Sequence, residues 1–480
     1  MFSATKTKAT RANRLPLGEL VTRRFQCVAW RSTGECNPSG PLEPQNDKNC
    51  SEVITQEVSG YCEVEDLDSG ERFQVMHRHC NGLKNHVQFR CSDAPDFANY
   101  HVEGAQAVNN WIASNVSLYT DGHSLRDGIV MVVYPKLVAS AYANVRVLRD
   151  VLSCTLPIEI WFNVDELADF RGLFAPLQQL AISVGGISFH PMRGSQAKGF
   201  YSKIFAIQNS FFDRVLFLDA DNVPVRDPSF LFESPEFVTT GAVFWPDFWQ
   251  PSRTLFNLFD TSMLWELLDL PFIDMFEQES GQLLVDRVRH SAPLELVNFY
   301  AFHEPNYFQK LDLVYGDKDL FRLAWMKLNA SFHMVQIPPA MAGRVIGGSF
   351  CGMTMAQHDA NGEMLFLHRN QFKLTGERDS RFGNAAEEDP NALGAMQADG
   401  YPDPVIWTHL LSFNTTADSK MYLIDAYRAP PQFPDWQPCY GRRDVADLGV
   451  FYLKEFAKLT FANIETDLRR FAKEAIDLRP

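Results

Sequence analysis

Short apolar runs alternate with segments of helical spacing between residues 129 and 218. Residues 129–134, 158–162 and 215–218 are largely apolar, and residues 137–152 repeat apolar side chains every three or four positions. Further helices are predicted at 173–180 and 198–212, with a short strand at 187–189 between them. A strand, a helix and a second strand in this order form the unit from which parallel sheets are built. The pattern therefore predicts a doubly wound α/β domain.

The second half of the chain is less regular. Residues 241–245 are predicted to form a strand, and residues 364–367 form a short strand that ends at His368. Helices are predicted at 274–301, 317–328 and 449–476, the last from an amphipathic spacing that includes Phe456 and Leu468. Residues 375–404 are rich in Gly, Asn, Asp and Pro, which predicts a surface loop.

The cysteines are concentrated near the N-terminus. Six of the nine lie between positions 27 and 91, where turn-forming residues are frequent. This density predicts a disulfide-rich module in an oxidising compartment, with the pairing left open. A zinc site is the weaker alternative, because the chain has no C-x-x-C pair, although His77 and His79 lie beside Cys80. N-x-S/T sequons agree with a lumenal or secreted setting; they begin at Asn49, Asn115, Asn329 and Asn414.

Three segments follow from these patterns. Residues 1–24 carry six Lys and Arg residues and are expected to form a flexible basic tail. Residues 25–95 form the cysteine-rich module, and residues 96–480 form the α/β domain. No run of 18 apolar residues exists, so the sequence predicts no membrane-spanning helix. Because a disulfide module requires export, we expect a targeting segment that is either missing from this version of the sequence or atypical, and we favour a missing segment.

The charge excludes two classes of partner. The net charge is −15 and the isoelectric point is near 5.3, whereas general nucleic-acid binding needs a basic surface. An acidic surface also gives no attraction to anionic lipid.

Two carboxylates, Asp219 and Asp221, follow the apolar run 215–218 directly. Open α/β sheets bind ligands at the carboxyl ends of their strands, and oxygen ligands suit Mg²⁺ and Mn²⁺. A D-x-D pair here can hold a divalent cation, and the cation can hold a diphosphate. The pattern alone is weak, since it also occurs at Asp66-Leu-Asp68 and Asp317-Lys-Asp319. The alternative is a turn that caps the next segment, because Asp221, Asn222 and Pro224 are turn formers.

Basic and imidazole side chains are candidates to complete this site. His368, at the end of a predicted strand, is a candidate third metal ligand, and a hydrogen-bonded loop histidine is the alternative. Arg369 beside it could reach a phosphate or remain solvated. Lys203, on the helix before the Asp219 strand, is a candidate contact to the donor phosphates, with an exposed helical lysine as the alternative.

Three further clusters carry candidate substrate chemistry. Trp245-Pro-Asp-Phe-Trp249 offers two indoles and Asp247 for contacts with a sugar, unless it is an aromatic core cluster. Glu279 and Gln282 are predicted at the start of an apolar helix, where they could face a sugar. Asp317 is placed in the same way before the next helix, and plain N-cap chemistry is the alternative for both.

Several of these motifs occur in the order found in one family. Together they resemble the fungal Golgi α-mannosyltransferases that extend glycans from GDP-mannose, over about residues 125–372. The blocks are Gly128-Ile-Val-Met131, Leu156-Pro-Ile-Glu-Ile-Trp161, Leu216-Phe-Leu-Asp-Ala-Asp-Asn-Val-Pro-Val-Arg-Asp-Pro228, Trp245-Pro-Asp-Phe-Trp249, Glu279-Ser-Gly-Gln282, Gly316-Asp-Lys318 and Leu367-His-Arg-Asn370.

The resemblance implies a GT-A type, Rossmann-like nucleotide-sugar-binding domain that is preceded here by a small disulfide-rich module. It implies a retaining transfer dependent on Mn²⁺ or Mg²⁺, with metal ligands at Asp219, Asp221 and, by looser analogy, His368. Retention requires a carboxylate nucleophile or same-face attack, and Asp317 and Glu279 are the candidate carboxylates. The implied location is the Golgi lumen, through a type II anchor, with secretion as the runner-up.

Two other functions remain open from the residues. One is the same reaction with a UDP-sugar donor, since related GT-A families use UDP-sugars. The other is a carbohydrate-binding protein without turnover. The expected partners are a nucleotide sugar and a glycan or glycoprotein acceptor, with no nucleic acid and no membrane contact except through an anchor.

Overall fold

The computed structural model describes residues 11–115, 125–167, 172–194, 199–254, 256, 258–377, 399–429 and 438–480. The chain forms two compact units. The first unit comprises residues 1–118, 250–275 and 295–328, and the second comprises residues 119–249, 276–294 and 329–480. The first unit therefore extends beyond the predicted module at 25–95, because two later segments of the chain pack into it.

The strands are, in chain order, β1 Asn13–Arg14, β2 Phe25–Thr33, β3 Val53–Ile54, β4 Ser59–Asp66, β5 Arg72–Arg78, β6 Phe89–Arg90, β7 Asp127–Val132, β8 Ile158–Asn163, β9 Ile187–Met192, β10 Arg214–Leu218, β11 Asn222–Pro224, β12 Ala242–Pro246, β13 Gln278–Asp286, β14 His333–Met334, β15 Ala340–Ile346, β16 Ser349–His358, β17 Met364–His368, β18 His409–Phe413, β19 Asp425–Arg428, β20 Pro438–Gly441 and β21 Phe451–Glu455.

The α-helices are α1 Ala94–Asn115, α2 Val138–Arg146, α3 Val164–Leu167, α4 Ala175–Val184, α5 Ser202–Asn209, α6 Pro235–Thr240, α7 Met263–Leu267, α8 Ser291–Phe302, α9 Tyr307–Lys310, α10 Leu320–Lys327 and α11 Ile464–Asp477. A π-helical segment, Val147–Val151, continues α2.

The first unit contains the cysteine-rich module. A four-stranded sheet in the order β1-β5-β4-β2 is joined by three disulfides, Cys27–Cys50, Cys36–Cys80 and Cys62–Cys91. The predicted disulfides are confirmed, and the paired cysteines leave no thiolates there for the zinc alternative. Within the predicted basic tail, Asn13 and Arg14 pair with β5, and Arg11 donates to the Ser39 carbonyl. This part of the segment is attached to the sheet rather than free.

The second unit is built on a seven-stranded sheet in the order β14-β12-β13-β10-β7-β8-β9. The strands β10, β7, β8 and β9 are parallel neighbours, whereas β13 is antiparallel to both β10 and β12. Apolar residues of β7, β8 and β10 are buried in one core together with residues of α2 and with Leu177 and Leu180 of α4. The predicted α/β class is therefore confirmed, and the sheet order places the carboxyl end of β10 near its middle.

A second sheet in this unit has the order β11-β17-β16-β15-β18-β21, with β20 and β19 attached to β16. The strand β11 follows the D-x-D pair directly and pairs with β17. A fourth disulfide, Cys351–Cys439, connects β16 to β20, and Cys154 is a buried free thiol.

Two predicted helices are wrong in part. Residues 278–286, predicted as the start of a helix, form the buried strand β13, because they lie between β10 and β12 with both faces covered. Such a strand shows no alternation of polar and apolar residues that would distinguish it from a helix. Residues 451–455 form the edge strand β21, residues 456–458 form a short 3-10 helix, and the C-terminal α-helix begins only at Ile464.

Three further predictions concern a surface loop, the sequons and a membrane-spanning helix. The predicted loop at 375–404 lies mostly outside the described residues, as does the sequon at Asn115. Asn49, Asn329 and Asn414 are exposed, as modification of a sequon requires. No helix in the described part of the chain is both long and apolar enough to cross a membrane.

Candidate metal and donor site

Asp219, Asp221 and His368 come together at the carboxyl end of β10. One ligand atom from each residue lies within 4.8 Å of those of the other two. The His368 Nε2 atom is 3.5 Å from Asp221 Oδ1 and 3.9 Å from Asp219 Oδ2. Asp221 and His368 are buried, whereas the Asp219 side chain is 29% exposed, so the cluster opens to solvent on the Asp219 side.

Backbone pairing fixes this arrangement. The Asp219 amide donates to the Gly281 carbonyl on β13, and the Arg369 amide donates to the Asp221 carbonyl, both at 2.9 Å. In the ladder between β11 and β17, His368 stands opposite Asn222. The last residue of β17 is thus brought beside the D-x-D turn, although their separation in sequence is large.

Two lysines border the carboxylates. The Lys203 ammonium lies 3.5 Å from Asp219 Oδ2 and donates to the Ser280 carbonyl at 2.6 Å. The Lys373 ammonium contacts Asp221 Oδ2. Burial lowers the pKa of Lys373 to about 8, and the Asp219 carboxylate opposes this shift. The sequence analysis did not single out Lys373. Its place five residues after His368 was the one feature that could have indicated a role at this site.

Glu279 and Gly281 lie behind the histidine. The buried Glu279 Oε1 accepts a 2.7 Å hydrogen bond from the Gly281 amide and lies 3.3 Å from His368 Nδ1. A Cβ atom at Gly281 would stand 2.5 Å from His368 Nδ1, so only glycine leaves room for the ring.

Gln282 belongs to a buried amide network beside the cluster. Its Oε1 accepts a 2.5 Å hydrogen bond from Asn222 Nδ2, which also donates to the Gly281 carbonyl. Asn144 Nδ2 donates to the Asn222 carbonyl at 2.8 Å. These contacts hold the turn that carries Asp219 and Asp221.

The aromatic cluster is part of the core. Trp245 is fully buried, its indole nitrogen donates to the His358 carbonyl, and its ring packs edge-on against Phe366. Trp249 is 5% exposed and packs against Tyr440, and Asp247 is 1% exposed. This geometry favours the core alternative over a sugar-contacting surface.

The side chains of Arg369 and Asp317 are not among the three clustered candidate ligands. The Arg369 guanidinium is buried and donates to Glu465, to the Phe372 carbonyl and to the Pro404 carbonyl, which explains its burial without a phosphate. Asp317 is 2% exposed in the first unit, three residues before α10, and does not N-cap that helix.

The donor set fits a divalent cation. Two carboxylates and one imidazole nitrogen are ligands that Mn²⁺ accepts, and carboxylates also suit Mg²⁺. The close approach of two carboxylates is unfavourable without positive charge, which a cation and the two lysines would supply.

The comparisons with known proteins agree with the sequence motifs. Residues 126–359 match a family model described as "Mannosyltransferase putative". The α-1,2-mannosyltransferase MNN21 of Candida albicans is 26% identical over 309 residues, which are 54% of this chain and 47% of that protein. MNN2 of Saccharomyces cerevisiae is 30% identical over 198 residues, 34% of this chain and 33% of that protein. The chain thus spans about half the length of these relatives, or less.

Solved structures give a looser likeness. The glycosyltransferase GlyE of Streptococcus pneumoniae TIGR4 is 13% identical, with 45% of this chain and 46% of that chain covered and a TM-score of 0.30. A superposition at this level supports no conclusion about this chain. The family match, together with the two curated relatives, confirms the predicted resemblance: residues 126–359 are similar to the mannosyltransferase family that the matched family model represents.

Proposed function

We propose that the chain is a metal-dependent retaining glycosyltransferase that moves mannose from GDP-mannose to a glycan acceptor. The observation that carries this proposal is the cluster of Asp219, Asp221 and His368 at the end of a central parallel strand. Ligands of open α/β sheets bind at this edge. The family match of residues 126–359 supports mannose as the sugar, and the names of the relatives make α-1,2 the first linkage to test.

The chemistry needs stabilisation of a departing diphosphate. Asp219, Asp221 and His368 would hold Mn²⁺ or Mg²⁺, which neutralises charge on the leaving group when bound. Lys203 and Lys373 place two ammonium groups beside the same carboxylates, where each is positioned to pair with a phosphate oxygen. Arg369 has no part in this proposal, because its guanidinium is engaged with Glu465 and two carbonyls.

The setting of the reaction is the secretory pathway. Four disulfides and three exposed sequons are typical of a lumenal or secreted protein. We therefore place the protein in the Golgi lumen, with secretion as the other outcome of a localisation test.

A donor panel tests the proposal. The protein is given GDP-mannose, UDP-glucose, UDP-galactose or UDP-GlcNAc with Mn²⁺ and a mannose-containing acceptor, and nucleotide release is followed. We expect GDP release from GDP-mannose, lost in Asp221→Asn and retained in Asp68→Asn, an exposed aspartate of another D-x-D match. Release of UDP from a UDP-sugar, without GDP release from GDP-mannose, would mean that the donor is that UDP-sugar. Glycan binding without release from any donor would favour the carbohydrate-binding alternative.

A further inference from the structure

Glu279 is a buried carboxylate that is not among the three candidate metal ligands. It is 1% exposed, and its Oε1 atom lies 3.3 Å from Nδ1 of His368. The same oxygen accepts the hydrogen bond from the Gly281 amide, so the protein itself holds the carboxylate in place. This position differs from that of a carboxylate presented to a substrate.

The two nitrogens of His368 face different partners. Nε2 lies 3.5 Å and 3.9 Å from carboxylate oxygens of Asp221 and Asp219, whereas Nδ1 lies 3.3 Å from Glu279 Oε1, a close electrostatic contact that is not aligned as a hydrogen bond. A neutral imidazole carries its proton on one nitrogen, and a carboxylate beside Nδ1 favours the Nδ1–H form. The lone pair of Nε2 then faces the carboxylates, as metal coordination requires.

Gly281 is the third part of this arrangement. A Cβ atom there would lie 2.5 Å from His368 Nδ1 and 2.9 Å from Glu279 Oε1. The register of β10 against β13, with Leu218 opposite Gln282, puts this glycine beside the residue that begins the D-x-D pair. The strand therefore supplies both the carboxylate and the space that the imidazole ring occupies.

We propose that Glu279 is a positioning residue for His368: it fixes the Nδ1–H form and the orientation of the ring, and so presents Nε2 to the metal. The proposal rests on the metal site of the proposed function. It replaces the earlier expectation that Glu279 is the carboxylate nucleophile of a retaining transfer. The two roles differ in what a substitution of Glu279 changes. Loss of a nucleophile lowers the rate of sugar transfer, whereas loss of a positioning residue weakens metal binding.

The test is the Mn²⁺ affinity of the donor-free protein, measured by calorimetry. We expect Glu279→Ala and Gly281→Ala to weaken Mn²⁺ binding by about 10-fold to 100-fold, the range found for partners of metal-binding histidines. Glu279→Gln keeps an amide of similar size beside Nδ1 but loses the negative charge, so it should lose less Mn²⁺ affinity than Glu279→Ala. Glu159→Gln changes another buried carboxylate of this unit, bonded to Trp161, and should leave the affinity unchanged.

Kinetics and spectroscopy separate the two roles further. For Glu279→Gln we expect a raised Mn²⁺ requirement, with kcat restored to within a few-fold at saturating Mn²⁺. In the metal-free protein, nitrogen NMR should show His368 protonated at Nδ1, and less so in a folded Glu279→Ala. Unchanged Mn²⁺ affinity in all Glu279 variants, or loss of kcat in Glu279→Gln at normal affinity, would overturn the proposal. Absence of Mn²⁺ binding by the wild-type protein would instead remove the metal site of the proposed function, and this inference with it.

Discussion

The Nε2 atom of His368 lies 3.5 Å from Oδ1 of Asp221, although the two residues follow strands that are far apart in the chain. The contact exists because β11, which continues directly from the D-x-D turn, pairs with β17, which ends at the histidine. The D-x-D turn thus joins β10 of one sheet to β11 of the other, and the ladder between β11 and β17 brings the histidine to this turn.

Lys373 is expected to bind the donor diphosphate. Lys373→Met removes the ammonium beside Asp221 and should raise the KM for the donor, or the Kd for the free nucleoside diphosphate, by about 10-fold to 100-fold, as loss of a charge-assisted contact does. Lys373→Arg should recover part of the affinity. The matched control is Lys458→Met, whose side chain is 73% exposed on the same unit. Equal nucleotide affinity in wild type and Lys373→Met would remove this role.

The disulfide pairing determines how many free thiols the protein should contain. All nine cysteines are accounted for by four disulfides and one free thiol, Cys154. Denatured, unreduced protein should therefore show a single titratable thiol. Replacing Cys36 and Cys80 by serine opens a loop with a sequence separation of 44 residues and should lower the free energy of unfolding of the first unit by about 4 kcal/mol. Seven or more free thiols would contradict the disulfide module.

The lowered pKa of His358 should make the stability of the protein depend on pH. Burial lowers its pKa to about 4. Between about pH 4 and pH 6.5 the unfolded chain binds a proton here that the folded chain does not, so the free energy of unfolding rises with pH across this window, by about 3 kcal/mol at most. We expect His358→Gln to flatten that rise in denaturant titrations at pH 5 and pH 7. An unchanged slope would show that other groups produce it.

Trp245 should contribute to stability rather than to sugar binding. Its indole is fully buried and bonded to the His358 carbonyl. Trp245→Phe loses this hydrogen bond and some packing, and we expect about 1 to 3 kcal/mol of destabilisation with acceptor KM unchanged. A large rise in KM at unchanged stability would restore the sugar-contacting role that the sequence suggested.

The parallel part of the fold and the D-x-D pair were predictable from the sequence. Largely apolar runs at β7, β8 and β10 alternate with helical segments, and this local pattern is enough to predict a parallel sheet. Asp219 and Asp221 followed from their place directly after such a run. His368 was predictable because it ends a short apolar strand, although only the pairing of β11 with β17 explains its distance to Asp221.

Other features depend on long-range packing that the sequence does not display. The strand β13 was mistaken for a helix because burial on both faces removes the alternation of polar and apolar residues. That error hid the relation between Glu279, Gly281 and His368, which exists because alternate residues of a strand face the same side and here both lie against the ring. Lys373 was missed since a lysine after a strand usually remains in solvent.

Metal dependence is tested by following mannose transfer from GDP-mannose as Mn²⁺ is removed with EDTA and then restored. It is made on the wild-type protein and on Asp219→Asn, whose side chain is the most exposed of the three ligands and whose loss should change stability by less than about 1 kcal/mol. We expect transfer to stop in EDTA, to return with Mn²⁺, and to fall by about 100-fold or more in the folded variant. Full transfer in EDTA, or by Asp219→Asn, would contradict the metal dependence proposed for this site.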